Sequence, residues 1–296
     1  MPEAYDELLE AAIGHLEGLK SRGVKFVSVS SETLKILHQP SETIQLKSSP
    51  APSPTQTKPS IQQSITRDLR TELFLEKQPP LETKPALDPQ AKAAAFAELR
   101  ERAMACVKCS NLAAARKNVV FGVGNIAAQL MFVGEAPGAD EDVQGEPFVG
   151  KAGQLLTKII ETMGLTRDSV YIGNILKCRP DTPGQSAGNR KPTPEEMKTC
   201  IPFLHEQIDL IQPKVLIALG ATAVEGLLGR TIGITRLRGN WQTYRGIPLM
   251  PTYHPAYLLR NAALSEKRRV WEDMLQVMEK LGMPISEKQR KFFLKS

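Results

Sequence analysis

The chain has 296 residues, 41% of them hydrophobic and 24% charged, with a net charge of +6. This leaves room for one sizeable globular domain or two small ones, and it excludes a helical membrane span, because no apolar run approaches the ~20 residues that one needs. The charge is uneven, −2 over residues 1–90 and +8 over residues 91–296, and a basic domain suits a polyanionic partner. The start, Met1-Pro-Glu-Ala-Tyr-Asp-Glu, lacks a basic region followed by an apolar one, so no signal peptide is expected and a cytoplasmic protein is the default.

Residues 3–21 carry apolar side chains at helical spacing and end near Gly23, residues 24–29 alternate as a short strand does, and residues 31–37 suit a further helical turn. A piece of this size buries little by itself. Residues 1–38 are therefore expected to form a small accessory segment, with a protein partner as its use. Residues 39–89 hold nine prolines among Ser, Thr, Gln and Lys, a composition expected to give an extended, disordered linker. The remainder, residues 90–296, is expected to be the functional domain.

Within that domain the alanine-rich stretch Gln90–Ala105 predicts a helix leading into Cys106-Val-Lys-Cys109. Residues 129–133 read as a buried strand, followed by a glycine-rich acidic loop and an amphipathic helix over residues 154–163. Residues 169–176 give a second strand, which ends in Lys177-Cys-Arg-Pro180. Thr193-Pro-Glu-Glu196 is a helix start, with Thr193 as the cap and Glu196 three residues on, and the helix runs to about Ile211. Residues 214–219 predict a central parallel strand and residues 221–228 a helix. Residues 247–253 predict a strand nearer an edge because of its two prolines, and residues 265–281 a final basic helix. Alternating strands and helices predict a three-layer α/β/α fold around a mostly parallel, four-stranded sheet. The loop after residue 133, the loop after Asn174 and the segment at His254 all follow strand ends, so they converge on one rim.

Two features of this domain carry chemistry. The loop Gly134–Gly153 combines glycines, which let backbone approach a flat ligand, with four carboxylates (Glu135, Asp140, Glu141, Asp142) and one aromatic, Phe148. The four cysteines, Cys106, Cys109, Cys178 and Cys200, follow a C-x2-C, 68-residue, 21-residue spacing. A cytosolic chain is not expected to hold them as disulfides. Four thiols with one tight pair fit a four-thiolate centre, either structural zinc or a [4Fe–4S] cluster, and the long uneven gaps lean toward the cluster.

The first loop, Lys177-Cys-Arg-Pro180, His254-Pro-Ala-Tyr-Leu-Leu-Arg260 and the contexts of the cysteines together resemble the type-4 uracil-DNA glycosylases, the iron–sulfur branch of their superfamily. The resemblance spans about residues 95–282. It implies an enzyme that flips deoxyuridine out of DNA and hydrolyses its N-glycosidic bond to start base excision repair, with a [4Fe–4S] cluster on the four cysteines and a place near the nucleoid. Phe148 is then the stacking surface, Asn174 the reader of the uracil edge, and His254 the donor to the departing base. Glu135 lines the pocket, and Glu141 crowds a C5 methyl to exclude thymine.

The best-known uracil-DNA glycosylases carry an aspartate where this chain has Ala136, a small residue that type-4 enzymes share. The matching candidate for positioning water is Asn189, after a loop whose Thr182–Gly188 stretch is longer than the family leads one to expect. Leu258, Leu259 and Arg260 are expected as a wedge and a phosphate contact. The covalently trapping branch has a histidine in its basic loop; Gly188-Asn-Arg-Lys-Pro192 has none, so turnover without an adduct is expected. A monomer is expected. The competing readings are a zinc-held, non-enzymatic nucleic-acid-binding module and a glycosylase for another deaminated base such as hypoxanthine.

Overall fold

The computed structural model describes residues 88–180 and 190–294. The chain divides into two units, residues 1–68 and 69–296, and every described residue lies in the second. The accessory segment, nearly all of the proline-rich linker and Asn189 lie outside the described residues.

Among the described residues the sheet has six strands, not four: β1 (Val123–Gly124), β2 (Leu130–Gly134), β3 (Tyr171–Asn174), β4 (Val215–Leu219), β5 (Gln242–Tyr244) and β6 (Ile247–Thr252), in the order β1-β3-β2-β4-β6-β5. The four predicted strands form its parallel centre. The two additional strands are short antiparallel edges on β3 and β6. They lacked a sequence signal because neither is long enough to show a repeating apolar pattern. β6 lies one strand in from the edge.

The sheet is covered on both faces, as predicted. Alternate residues of β2 point to opposite sides, as the pleat requires. Met131 and Val133 pack with Leu204 and Ile208 of α5 (Pro194–Ile211) and Val224 of α6 (Ala221–Leu228). Leu130 and Phe132 pack with Leu156 and Ile160 of α4 (Lys151–Thr162) and Trp271, Met274 and Met278 of α9 (Leu264–Lys280). α5 begins as its sequence predicts, with the Thr193 hydroxyl accepting from the Glu196 N–H at 3.2 Å and the Glu196 carboxylate accepting from the Thr193 N–H at 2.9 Å. Helix α1 (Pro89–Met104) lies on α5 through Leu99, Ala103 and Phe203. Among the described residues no helix is long and apolar enough to cross a membrane.

The register sets the site. Gly134 stands opposite Asn174, and Leu219 opposite Thr252, so the carboxyl ends of the parallel strands are level. The Gly220 N–H donates to the Thr252 carbonyl at 2.9 Å, which continues that level one residue further toward His254.

Candidate active site

The loop after β2 is more ordered than its composition suggested. It contains the short helix α3 (Ala139–Gln144), which ends at Gly145 with φ 75°. The Glu141 carboxylate accepts from the Gly138 N–H that opens the helix and from the N–H groups of Val149 and Gly150 beyond it, each at 3.0 Å. Asp142, 3% exposed, accepts from the N–H groups of Lys117 and Asn118 at 3.0 and 3.3 Å.

These ties hold Phe148 in an unusual conformation. Its φ is 56°, a left-handed value that bulky residues avoid and that functional sites often contain. Arg167 donates to the carbonyls of Pro147 and Phe148 at 2.8 and 3.1 Å. Gly153 lets α4 press against the same backbone, since a Cβ there would lie 1.8 Å from the Phe148 carbonyl oxygen. The ring is thereby turned inward, 6% exposed, with its centroid 5.6 Å from that of His254 at an interplanar angle of 32°.

Gly134 is where the walls meet. A Cβ there would lie 2.3 Å from Asn174 Oδ1 and 2.6 Å from Phe148 Cζ, so Phe148 and Asn174 converge on the end of β2. Asn174 is 2% exposed, and its Oδ1 has no hydrogen-bond partner among the described residues. Leaving a buried acceptor unpaired costs about 1–3 kcal/mol.

His254 caps α8 (Pro255–Arg260), its Nδ1 accepting from the Ala256 N–H at 3.1 Å. That bond requires the neutral ring proton to sit on Nε2. Burial, with the charge of Arg260 in support, lowers the His254 pKa to about 4, so the ring is neutral at physiological pH. The backbone beneath it is braced by a buried cluster: Thr252 Oγ1 donates to Asp273 at 2.6 Å, and Arg238 donates to the same carboxylate.

Phe148, Asn174 and His254 thus come together as the sequence led one to expect. Glu135 and Ala136 are half-buried at the mouth of the same loop, and the Glu135 carbonyl accepts from the Leu176 N–H at 3.1 Å. Glu141, expected at a C5 methyl, has its carboxylate engaged by three loop amides and is placed as a tie for the Phe148 loop. Leu258, expected in the wedge, is 5% exposed and packs with Tyr253 and Val270. A six-residue helix turns only one of two adjacent leucines outward, and that one is Leu259, 49% exposed. Arg260 is exposed beside it.

The four cysteines line one cavity, together with Leu112, Arg116, Leu176 and Thr199. Cys109 caps α2 (Ser110–Ala115), and Cys200 lies in α5. Among the described residues no group of three or more Cys, His, Asp or Glu side chains is arranged to hold a single metal ion. The donor set nevertheless fits a thiolate-held group. Arg116 donates to Cys178 Sγ at 3.1 Å, and the Lys177 N–H donates to Cys200 Sγ at 3.3 Å. Burial raises the thiol pKa values of Cys109 and Cys178, and that of Cys200 to about 11. A group bound through these four sulfurs as thiolates would therefore displace protons.

Sequence reasoning missed Arg167, and it named Asp142 and Lys177 without the supporting roles that the structure gives them. Lys177 is 2% exposed, and its ammonium donates to the Asn174 carbonyl at 3.0 Å and to Gln207 Oε1 at 2.7 Å. A buried lysine has no sequence signature, because it reads as an ordinary surface charge.

The model of the uracil DNA glycosylase superfamily matches residues 121–275. A type-4 uracil-DNA glycosylase of Thermotoga maritima is 46% identical over 178 residues, which is 59% of this chain and 88% of that protein. Type-4 uracil-DNA glycosylases of Sulfurisphaera tokodaii and Archaeoglobus fulgidus are 39% identical over 195 residues (63% of this chain, 84% of theirs) and 42% over 172 (55% and 83%). The chain belongs to the uracil-DNA glycosylase superfamily and, within it, to the type-4 enzymes.

Proposed function

We propose that this chain is a uracil-DNA glycosylase whose pocket is the rim formed by Phe148, Asn174 and His254. The observation that carries the assignment of the pocket is the buried Oδ1 of Asn174, which has no partner among the described residues. Uracil presents a donor at N3 beside an acceptor at O4, which a carboxamide matches atom for atom. Cytosine presents the reverse pattern there, which the carboxamide in this orientation does not match. In our reading the flipped base stacks on Phe148, whose strained backbone is fixed in advance of binding.

Breaking the N-glycosidic bond leaves negative charge on uracil and positive charge on the sugar. His254 has its proton on Nε2, because Nδ1 is engaged by the Ala256 N–H. It donates to the oxyanion forming at uracil O2 without first changing its protonation state. Water then adds to the sugar, and we assign Asn189 and Glu135 to orient it. Departure of the base is the main barrier on this route, so weak activation of water is tolerable. Hydrolysis turns over with no enzyme–DNA adduct. Leu259 fills the space left by the base and Arg260 takes a phosphate, with Leu258 holding their helix to the core.

Cys106, Cys109, Cys178 and Cys200 would hold a [4Fe–4S] cluster, supported by their shared cavity, the two N–H groups donated to sulfur and the long spacing. When bound, such a cluster supplies rigid cross-links between the segments that carry the four cysteines. The remaining proposals rest on sequence: a monomeric, cytoplasmic enzyme whose residues 1–89 engage a partner protein.

The test is Asn174→Leu, which keeps a buried side chain of similar size but removes the reading group. Uracil release and inhibition by free uracil should both fall by more than about tenfold, the equivalent of one good hydrogen bond to the base. Unchanged inhibition by free uracil would remove Asn174 from the pocket.

A further inference from the structure

Lys177 has one end at each of two sites. Its backbone N–H donates to Cys200 Sγ at 3.3 Å, and the next residue, Cys178, lines the same cavity. Its side chain runs the other way, and the ammonium reaches the Asn174 carbonyl at 3.0 Å. The network continues inward. Gln207 accepts from Lys177 at 2.7 Å and donates to the Phe121 carbonyl and to Tyr171 Oη, both at 2.9 Å. The ammonium also lies 5.9 Å from the centre of the Phe121 ring.

A side chain that only filled this space would be better served by Met or Leu. Burying an ammonium is costly, and buried charges replaced by well-packed apolar residues often leave a protein as stable or more so. What the lysine adds is a directed donor on the peptide of the residue that reads the base. Two neighbouring bonds fix the chain just beyond it: the Ile175 N–H donates to the Gly134 carbonyl at 3.0 Å and the Leu176 N–H to the Glu135 carbonyl at 3.1 Å. With Lys177 they hold Asn174 from both sides.

We propose that Lys177 is a positioning residue for uracil recognition, fixing the Asn174 backbone, and so its carboxamide, to the wall that carries Cys178 and Cys200. This rests on the reading of the rim as the uracil pocket. It gives the cysteine-lined cavity a mechanical link to base recognition that needs no redox change.

The experiment compares Lys177→Met with Gln207→Leu in the full-length, metal-loaded protein, with metal content measured in each. Lys177→Met removes two hydrogen bonds of the buried network and Gln207→Leu three, but only the first frees Asn174. Lys177→Met is expected to weaken inhibition by free uracil, and to slow single-turnover cleavage at deoxyuridine, by about tenfold each, while binding to DNA with an abasic site stays within about twofold. Gln207→Leu should stay within about threefold on every readout except Tm.

A Lys177→Met protein that behaves like Gln207→Leu, or that loses abasic-site binding in step with uracil binding, overturns the proposal. Should Lys177→Met not fold, Lys177→Gln carries the same comparison, since it keeps a donor of shorter reach and should give an intermediate loss. No loss from it would overturn the proposal. Failure of the unsubstituted protein to release uracil would defeat the reading of the pocket before any variant is compared.

Discussion

Gly134→Ala tests the convergence of the pocket walls with the smallest possible change. The added methyl carbon would lie 2.3 Å from Asn174 Oδ1 and 2.6 and 2.7 Å from two carbons of the Phe148 ring. Ordinary contact begins at 3.4 Å, so the amide must retreat by about 1 Å and the ring by nearly as much. Neither has slack: Asn174 is held by Lys177, and Phe148 by Arg167 and the amides tied to Glu141. Displacement of recognition groups by about 1 Å costs on the order of a hundredfold in rate, and overpacking a core costs about 1–3 kcal/mol. Gly134 does not have a left-handed backbone, so the loss would not come from strain there. The assay is single-turnover uracil release from a deoxyuridine oligonucleotide, with the melting curve taken alongside. Gly233→Ala serves as the control, because a Cβ there meets nothing within 4 Å. A folded Gly134→Ala protein within threefold of the parent rate would refute the converging walls.

Further outcomes follow from the same geometry. His254 has its pKa lowered from 6.5 to about 4, so between those values the unfolded chain takes up a proton that the folded chain refuses. Its contribution to stability is present above pH 6.5 and is lost as the pH falls toward 4. Uracil release should therefore show an acid limb with a midpoint of about 4; a midpoint of 6.5 that disappears in His254→Asn would contradict the neutral ring. Glu141→Ala orphans three loop amides and should reduce uracil release by at least about tenfold without admitting thymine. Cleavage at thymine by that variant would restore the role that the resemblance first implied. Leu259→Ala should weaken cleavage in duplex DNA more than in single strands, because only a duplex leaves a gap to fill. Equal losses on both substrates would remove Leu259 from the wedge.

The parts of this site that the sequence disclosed are those with a local chemical signature. β2 and β4 are runs of wholly buried residues, and α5 announces itself through Thr193, Pro194 and Glu196. His254 and Asn174 were legible because each follows such a strand, and strand ends in a parallel sheet share a rim. Other features depend on contacts far along the chain. Helix α3 has no apolar face of its own and a glycine as its cap, so it read as an acidic loop. Nothing local separates Glu141, which ties the loop, from Asp142, which is buried against residues 117 and 118. Adjacent Leu258 and Leu259 part only when α8 docks on Tyr253 and Val270. Arg167 and Lys177 resemble surface charges until the fold closes over the carbonyls that they hold.

The most direct test is to incubate the purified protein with oligonucleotides that carry uracil or thymine at one position, measure the free base, and cleave abasic sites with alkali. Free uracil and strand breaks only at uracil, lost in His254→Ala while the fold and metal content remain, are the results that this account predicts. A folded, metal-replete protein that releases no uracil, or one whose His254→Ala variant works as well as the parent, would contradict it.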